Sequence, residues 1–184
     1  MAPAWLYETN PDNTARYVLA TAGENPLACF GVNPSTAEPG NLDPTVRRVQ
    51  LVAEKAGHDS FMMFNLYPQR ATCPKNLHME ADRGLVAENE KWIAKLLGGR
   101  AIRIWAAWGG LVDSRPYFAG LLLRLGDMPE LGAAEWVRRG PLTKNGHPRH
   151  PLYGRNDWEF YPYAPCCKRP RTAAEKRFSF PRLE

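Results

Sequence analysis

The sequence predicts an α/β fold: a three-layer domain in which a mostly parallel four-stranded sheet is flanked by helices. Two observations carry this. Short apolar runs of strand character alternate with longer stretches whose apolar residues recur at helical spacing, and loops part each from the next. The 184 residues, 44% hydrophobic and 23% charged, suffice for one core and are too few for two. A single α/β domain is expected over residues 1–165, followed by a basic C-terminal tail over 166–184.

The elements follow in order. Tyr17–Ala20 is a short strand candidate, and the apolar run Leu27–Val32 is the first buried strand. A loop from Asn33 to Leu42 leads to a helix with Asp43 as N-cap, Pro44 at the favoured first position and Gly57 near its end. Val46, Val49, Ala53 and Ala56 form its core face. Phe61–Leu66 is the second buried strand, and Tyr67–His78 is a loop. A second helix runs from Asp82 to Leu97, with Leu85, Trp92, Ile93 and Leu96 on one side and Gly98–Gly99 as its stop. Ala101–Trp108 is the third buried strand, and Ser114 is read as the cap of a third helix through Leu125. Trp136–Arg138 supplies a short fourth strand. Pro141, Pro148 and Pro151 forbid a helix between Gly140 and Leu152.

Charge is unevenly spread. Residues 1–134 carry 13 Lys and Arg against 14 Asp and Glu, whereas residues 135–184 carry 11 against 5. Positive charge interleaved with Trp158, Tyr161 and Tyr163 suits a phosphate-backbone surface; a solvated tail is the alternative for residues 168–184. No apolar run reaches the roughly 18–20 residues of a membrane span, and Met1–Asn10 lacks the pattern of a secretory signal, so a cytoplasmic protein is expected. Cys29, Cys73, Cys166 and Cys167 form no CxxC pair and are read as free thiols rather than metal ligands or disulfides. No metal, cofactor or obligate protein partner is called for.

In sheets of this kind, ligands bind beyond the carboxyl ends of the strands. That rule selects the loops beginning at Gly31, Asn65 and Trp108. The first reads Gly31-Val32-Asn33-Pro34-Ser35. Its Asn33, held extended by the following proline, either orients a water or substrate amide or shapes the loop as an Asx turn. Asn65 offers the donor and acceptor needed to read the edge of a flipped base, or else is a polar strand end bonded to a neighbouring loop. Tyr67 either stacks on a base or packs the loop, and Gln69, Arg70 and Thr72 add polarity to the same face. The loop Gly146-His147-Pro148-Arg149-His150-Pro151-Leu152 holds two histidines stiffened by prolines. His with Arg suits an anion, either a phosphate or the charge developing on a leaving group; the alternative is a surface loop with solvated histidines. No GxxxxGK[ST], GxGxxG or GxSxG segment is present, which removes the phosphate-loop, dinucleotide and hydrolase-elbow templates.

Taken in order, these segments resemble the uracil-DNA glycosylase superfamily. Gly31-Val32-Asn33-Pro34 is similar to its water-activating GxDP or GxNP motif, and Met62-Met63-Phe64-Asn65 to the strand that ends in a base-reading Asn. Ile104–Gly109 is similar to its Trp-Gly segment, and His147–Leu152 to its HPSPL loop. The resemblance spans residues 27–153 and implies a uracil-DNA-glycosylase-like fold. It further implies that Asn65 reads the base, that His147 or His150 stabilises the departing base, and that Leu152 fills the vacated stack. Arg149, Ser35 and Arg70 become DNA contacts and Tyr67 a base contact. Asn33 stands where the most active members carry Asp, so it would position water rather than deprotonate it. The segments GVNPSTA, LDPT, NLYPQRAT and GHPRHPLY also look like a bacterial and phage domain family of unknown function, over nearly the whole chain.

The function these readings predict is an N-glycosylase-like enzyme acting on a damaged, mismatched or modified base in duplex DNA after base flipping. Two alternatives use the same pocket: a non-catalytic nucleic-acid or modified-base binding protein, and a small-molecule nucleoside or nucleotide hydrolase.

Overall fold

A computed structural model describes residues 3–165; the expected basic tail, with Cys166 and Cys167, lies outside the described residues. The strands are β1 Trp5–Thr9, β2 Arg16–Thr21, β3 Pro26–Gly31, β4 Ser60–Asn65, β5 Arg103–Ala106, β6 Glu135–Arg139 and β7 Phe160–Pro162. The helices are α1 Pro44–Lys55, α2 Arg83–Leu97 and α3 Tyr117–Gly126. All seven strands form one sheet in the order β1-β2-β4-β3-β5-β6-β7.

This corrects the expected four-stranded, mostly parallel sheet. The sheet is mixed: β3–β4, β3–β5 and β5–β6 pair parallel, whereas β1–β2, β2–β4 and β6–β7 pair antiparallel. The reason is physical. A parallel neighbour needs a crossover of about a dozen residues or more, and only Ala22–Asn25 part β2 from β3. β2 therefore runs against the strands that follow and pairs with β4. β1 and β7 escape a periodicity reading because edge strands need no buried face. Every residue of β1 is half-buried, and β7 has three residues, one of them a proline.

Helices cover both faces. In β3, Leu27 and Cys29 face the layer of Val46, Val49 and Val52 from α1. Ala28 and Phe30 face the layer of Ile93 and Leu97 from α2 and Phe118 and Leu121 from α3. Phe30 stacks on Phe64 of β4 with ring centroids 5.3 Å apart. Each such buried ring contributes roughly 1.5–3 kcal/mol relative to exposure. Asp43 caps α1, its side chain accepting from the Val46 N–H at 2.9 Å, and Asp82 caps α2 through the Leu85 N–H at 2.9 Å. The third cap is a second correction. Ser114 ends a 3₁₀ turn, Gly109–Ser114, and α3 begins behind Pro116 with no side-chain cap. Among the described residues no helix is long and apolar enough to cross a membrane.

Candidate functional site

Parallel pairing carries on past the strand ends and brings three loops together. The Leu66 and Tyr67 N–H groups donate to the Gly31 and Val32 carbonyl oxygens at 3.0 and 2.9 Å, and the Ala107 N–H donates to Phe30 at 2.9 Å. Beyond these bonds opens a cavity of about 390 Å³, a size that suits a small organic ligand. Asn33, Ser35, Asn65, His150 and Leu152 border it, so five of the residues singled out in the sequence share one site.

Asn65, 1% exposed, ends β4. Its Nδ2 faces the carbonyl oxygens of Asn33 (3.2 Å) and Phe64 (3.3 Å) in the amide orientation that satisfies both of its ends. Its backbone oxygen accepts from the Asn89 carboxamide on α2 at 2.9 Å. The close approach requires Gly31, where a Cβ would fall 2.9 Å from the Asn65 carboxamide. Asn33 Nδ2 donates to the Pro34 and Ala71 carbonyl oxygens at 2.9 and 2.8 Å, tying the first loop to the segment after β4. The donor half of Asn33 thus shapes the site.

The structure separates the two histidines. His147 Nε2 donates to the Asp113 carboxylate at 2.9 and 3.0 Å, and its backbone N–H bonds Thr143 Oγ1 at 3.0 Å. It anchors the Pro-rich loop away from the cavity. His150 borders the cavity. Its Nδ1 accepts from the Leu152 N–H at 3.4 Å, capping the 3₁₀ turn Pro151–Tyr153. A neutral ring held this way carries its proton on Nε2. Burial pushes the imidazole below its ordinary value, with the Asp43 carboxylate acting in the opposite sense. His150 is therefore a neutral hydrogen-bond donor near pH 7.

Tyr67, Arg70 and Arg149 do not border the cavity. Tyr67 is fully buried; its hydroxyl meets His78 Nδ1 at 2.6 Å and accepts from the Asp82 N–H at 3.0 Å, bracing the start of α2. Arg70 is engaged by Tyr7, Asn13 and Glu38. Arg149 bonds the Pro141 carbonyl oxygen at 3.2 Å and lies over the Trp158 ring.

Three bordering residues had no chemical role in the sequence reading. Asp43 reads in the sequence only as a helix cap, yet the Val46 N–H uses only its Oδ1, and the residue borders the cavity. Trp108, 1% exposed, borders the cavity, while its ring packs against Trp136 and Tyr163 in the core. Arg16 opens β2 and is 1% exposed. A charged residue at the head of the otherwise apolar run Tyr17–Ala20 is the signal that could have flagged it. Outside the mouth, an open groove of about 700 Å³ runs along Arg47, Arg48, Leu51 and Arg155, sharing Pro44 and Leu152 with the cavity. Among the described residues no group of three or more His, Cys, Asp or Glu is placed to hold a metal ion.

A family profile described as "Protein of unknown function (DUF1643)" matches residues 16–152. The chain belongs to the DUF1643 family. Neither the curated proteins nor the solved structures gave a match. The segment shared with DUF1643 begins at Arg16 and ends at Leu152, two residues that border the cavity from far ends of the sequence. It takes in β2 to β6 and all three helices, and leaves out the edge strands β1 and β7. The DUF1643 segment therefore contains every residue of the cavity border.

Proposed function

We propose that this protein hydrolyses the N-glycosidic bond of an abnormal base in DNA, the base having left the stack to enter the cavity. The observation that carries the reading is the convergence of Asn65, Asp43 and His150 on one cavity at the strand carboxyl ends. The order of its segments, similar to that in the uracil-DNA glycosylase superfamily, supports it further.

Each residue has a role that its chemistry suits. The Asn65 Oδ1, left over once Nδ2 is engaged by the Asn33 and Phe64 carbonyl oxygens, accepts from an N–H on the edge of the base. As the C1′–N bond breaks, its electron pair stays on the base, which becomes anionic while the sugar becomes cation-like. The His150 Nε2–H donates to that anion; a preorganised donor of this sort contributes on the order of 3–4 kcal/mol in other enzymes. A water oxygen then bonds C1′, and its proton passes to the Asp43 carboxylate. This arrangement answers the weakness of a carboxamide at Asn33, since Asp43 accepts a proton and Asn33 does not. Leu152, 49% exposed at the mouth, fills the vacated stack. Arg47 and Arg48 in the adjoining groove take backbone phosphates.

The test is chromatographic detection of free base from duplexes carrying single uracil, hypoxanthine, alkylated, oxidised or mismatched bases. Release of one base by the wild type, lost in Asp43→Asn and His150→Gln, supports the reading. Tight, salt-dependent binding of a modified duplex without release would make the protein a sensor instead.

A further inference from the structure

Arg16 is a buried cation with no carboxylate at ion-pair distance among the described residues. Its Nη1 donates to the Ala37 carbonyl oxygen at 2.9 Å, and its Nε has no hydrogen-bond partner among the described residues. Burial, reinforced by the like charge of Arg70, pulls its proton affinity down to about 10, against the opposing influence of Asp43, Tyr7 and Glu38. It stays charged at neutral pH. A guanidinium carries five N–H donors in a planar fork that matches phosphate and carboxylate oxygens. Leaving it buried and unmatched is costly.

The surroundings are those of an anion site. Arg16 borders the cavity, and so do the hydroxyl-bearing Ser35 and Thr36 and the first turn of α1. That helix has 12 residues, and its N-terminal N–H groups and dipole favour negative charge. Asp43 takes the Val46 N–H, while the Thr45 N–H lies in the same first turn.

We infer that the Arg16 end of the cavity is a phosphate subsite, and that the ligand whose base meets Asn65 and His150 is a nucleotide held by its phosphate. The base half rests on the proposed function; the phosphate half stands on Arg16 and its surroundings alone. The phosphate has two sources, a terminal monophosphate or the DNA backbone beside the flipped base.

The experiment uses the full chain. Binding of inorganic phosphate is followed by thermal shift against chloride at equal ionic strength. Affinities for the four deoxynucleoside 5′-monophosphates are then compared with those for the parent nucleosides. Phosphate is expected to stabilise the wild type and to leave Arg16→Gln unmoved. At least one monophosphate is expected to bind tenfold or more tightly than its nucleoside, the gap collapsing in Arg16→Gln. If that variant does not fold, competition in the wild type decides: inorganic phosphate must displace the monophosphate and leave nucleoside binding intact. A trinucleotide with internal diesters and no terminal phosphate distinguishes the sources. Binding equal to that of the monophosphate assigns the subsite to the backbone, and weaker binding assigns it to a terminal phosphate; either supports it. Equal affinity for nucleoside and monophosphate, or a gap that survives Arg16→Gln, overturns the proposal. Phosphate binding lost in Arg16→Gln, with no base released from any duplex, would leave the subsite standing while the glycosylase reading fell.

Discussion

Gly109 lies against His150. Its backbone adopts φ +66°, and a Cβ built on it would come within 3.0 Å of the His150 Cβ. The Gly109 N–H also donates to the Pro148 carbonyl oxygen at 2.9 Å. The turn after β5 thus seats the Pro-rich loop and sets where the imidazole enters the cavity.

Gly109→Ala should therefore injure both fold and site. The left-handed backbone and the close contact together cost about 2 kcal/mol. Chemical denaturation should show that loss. The histidine Cε1–H resonance of His150 should shift more than that of His58, which sits far off beside Asn25.

Asp43 has two roles that substitution separates. Asn remains a good N-cap, so Asp43→Asn should keep stability within about 0.5 kcal/mol, while Asp43→Ala loses about 1 kcal/mol. Both remove the proton acceptor and should slow base release by on the order of a hundredfold or more. Equal base release in wild type and Asp43→Asn would remove Asp43 from the chemistry.

His150 makes stability depend on pH, and the sign follows from its lowered proton affinity. The unfolded chain takes up a proton near 6.5, the folded chain only at lower pH. Between those values the unfolded state binds more protons, so stability rises with pH. The contribution is complete above the ordinary histidine range and is lost as pH falls through the folded value. Melting at about pH 7.5 and about pH 5.5 should show a larger acid loss for the wild type than for His150→Gln.

Leu152 is exposed and makes little of the core. Leu152→Ala should change stability by no more than about 0.5 kcal/mol. If it fills the vacated stack, base release from duplex should fall on the order of tenfold, since unstacking costs a few kcal/mol, while release from single strands stays unchanged. Equal effects on both substrates would place Leu152 outside the flipping step.

By itself the sequence determined the local elements that depend on short-range chemistry. The apolar runs at Leu27 and Phe61 became β3 and β4, and Asp43 and Asp82 capped their helices because a carboxylate three residues from a free N–H needs no tertiary help. The loops at Gly31 and Asn65 were legible because polar residues at the end of apolar strands are conspicuous. What only the tertiary structure decided depends on long-range pairing. β1 and β7 lack a periodic signal because their stability comes from the neighbours they pair with, and those pairings turned the expected parallel sheet into a mixed one. Two histidines three residues apart were equivalent in the sequence. Asp113 drew His147 away, and Gly109 let His150 into the cavity. Arg16 and Asp43 acquired their significance the same way, because burial and the approach of distant charges are properties of the folded chain, not of any window along it.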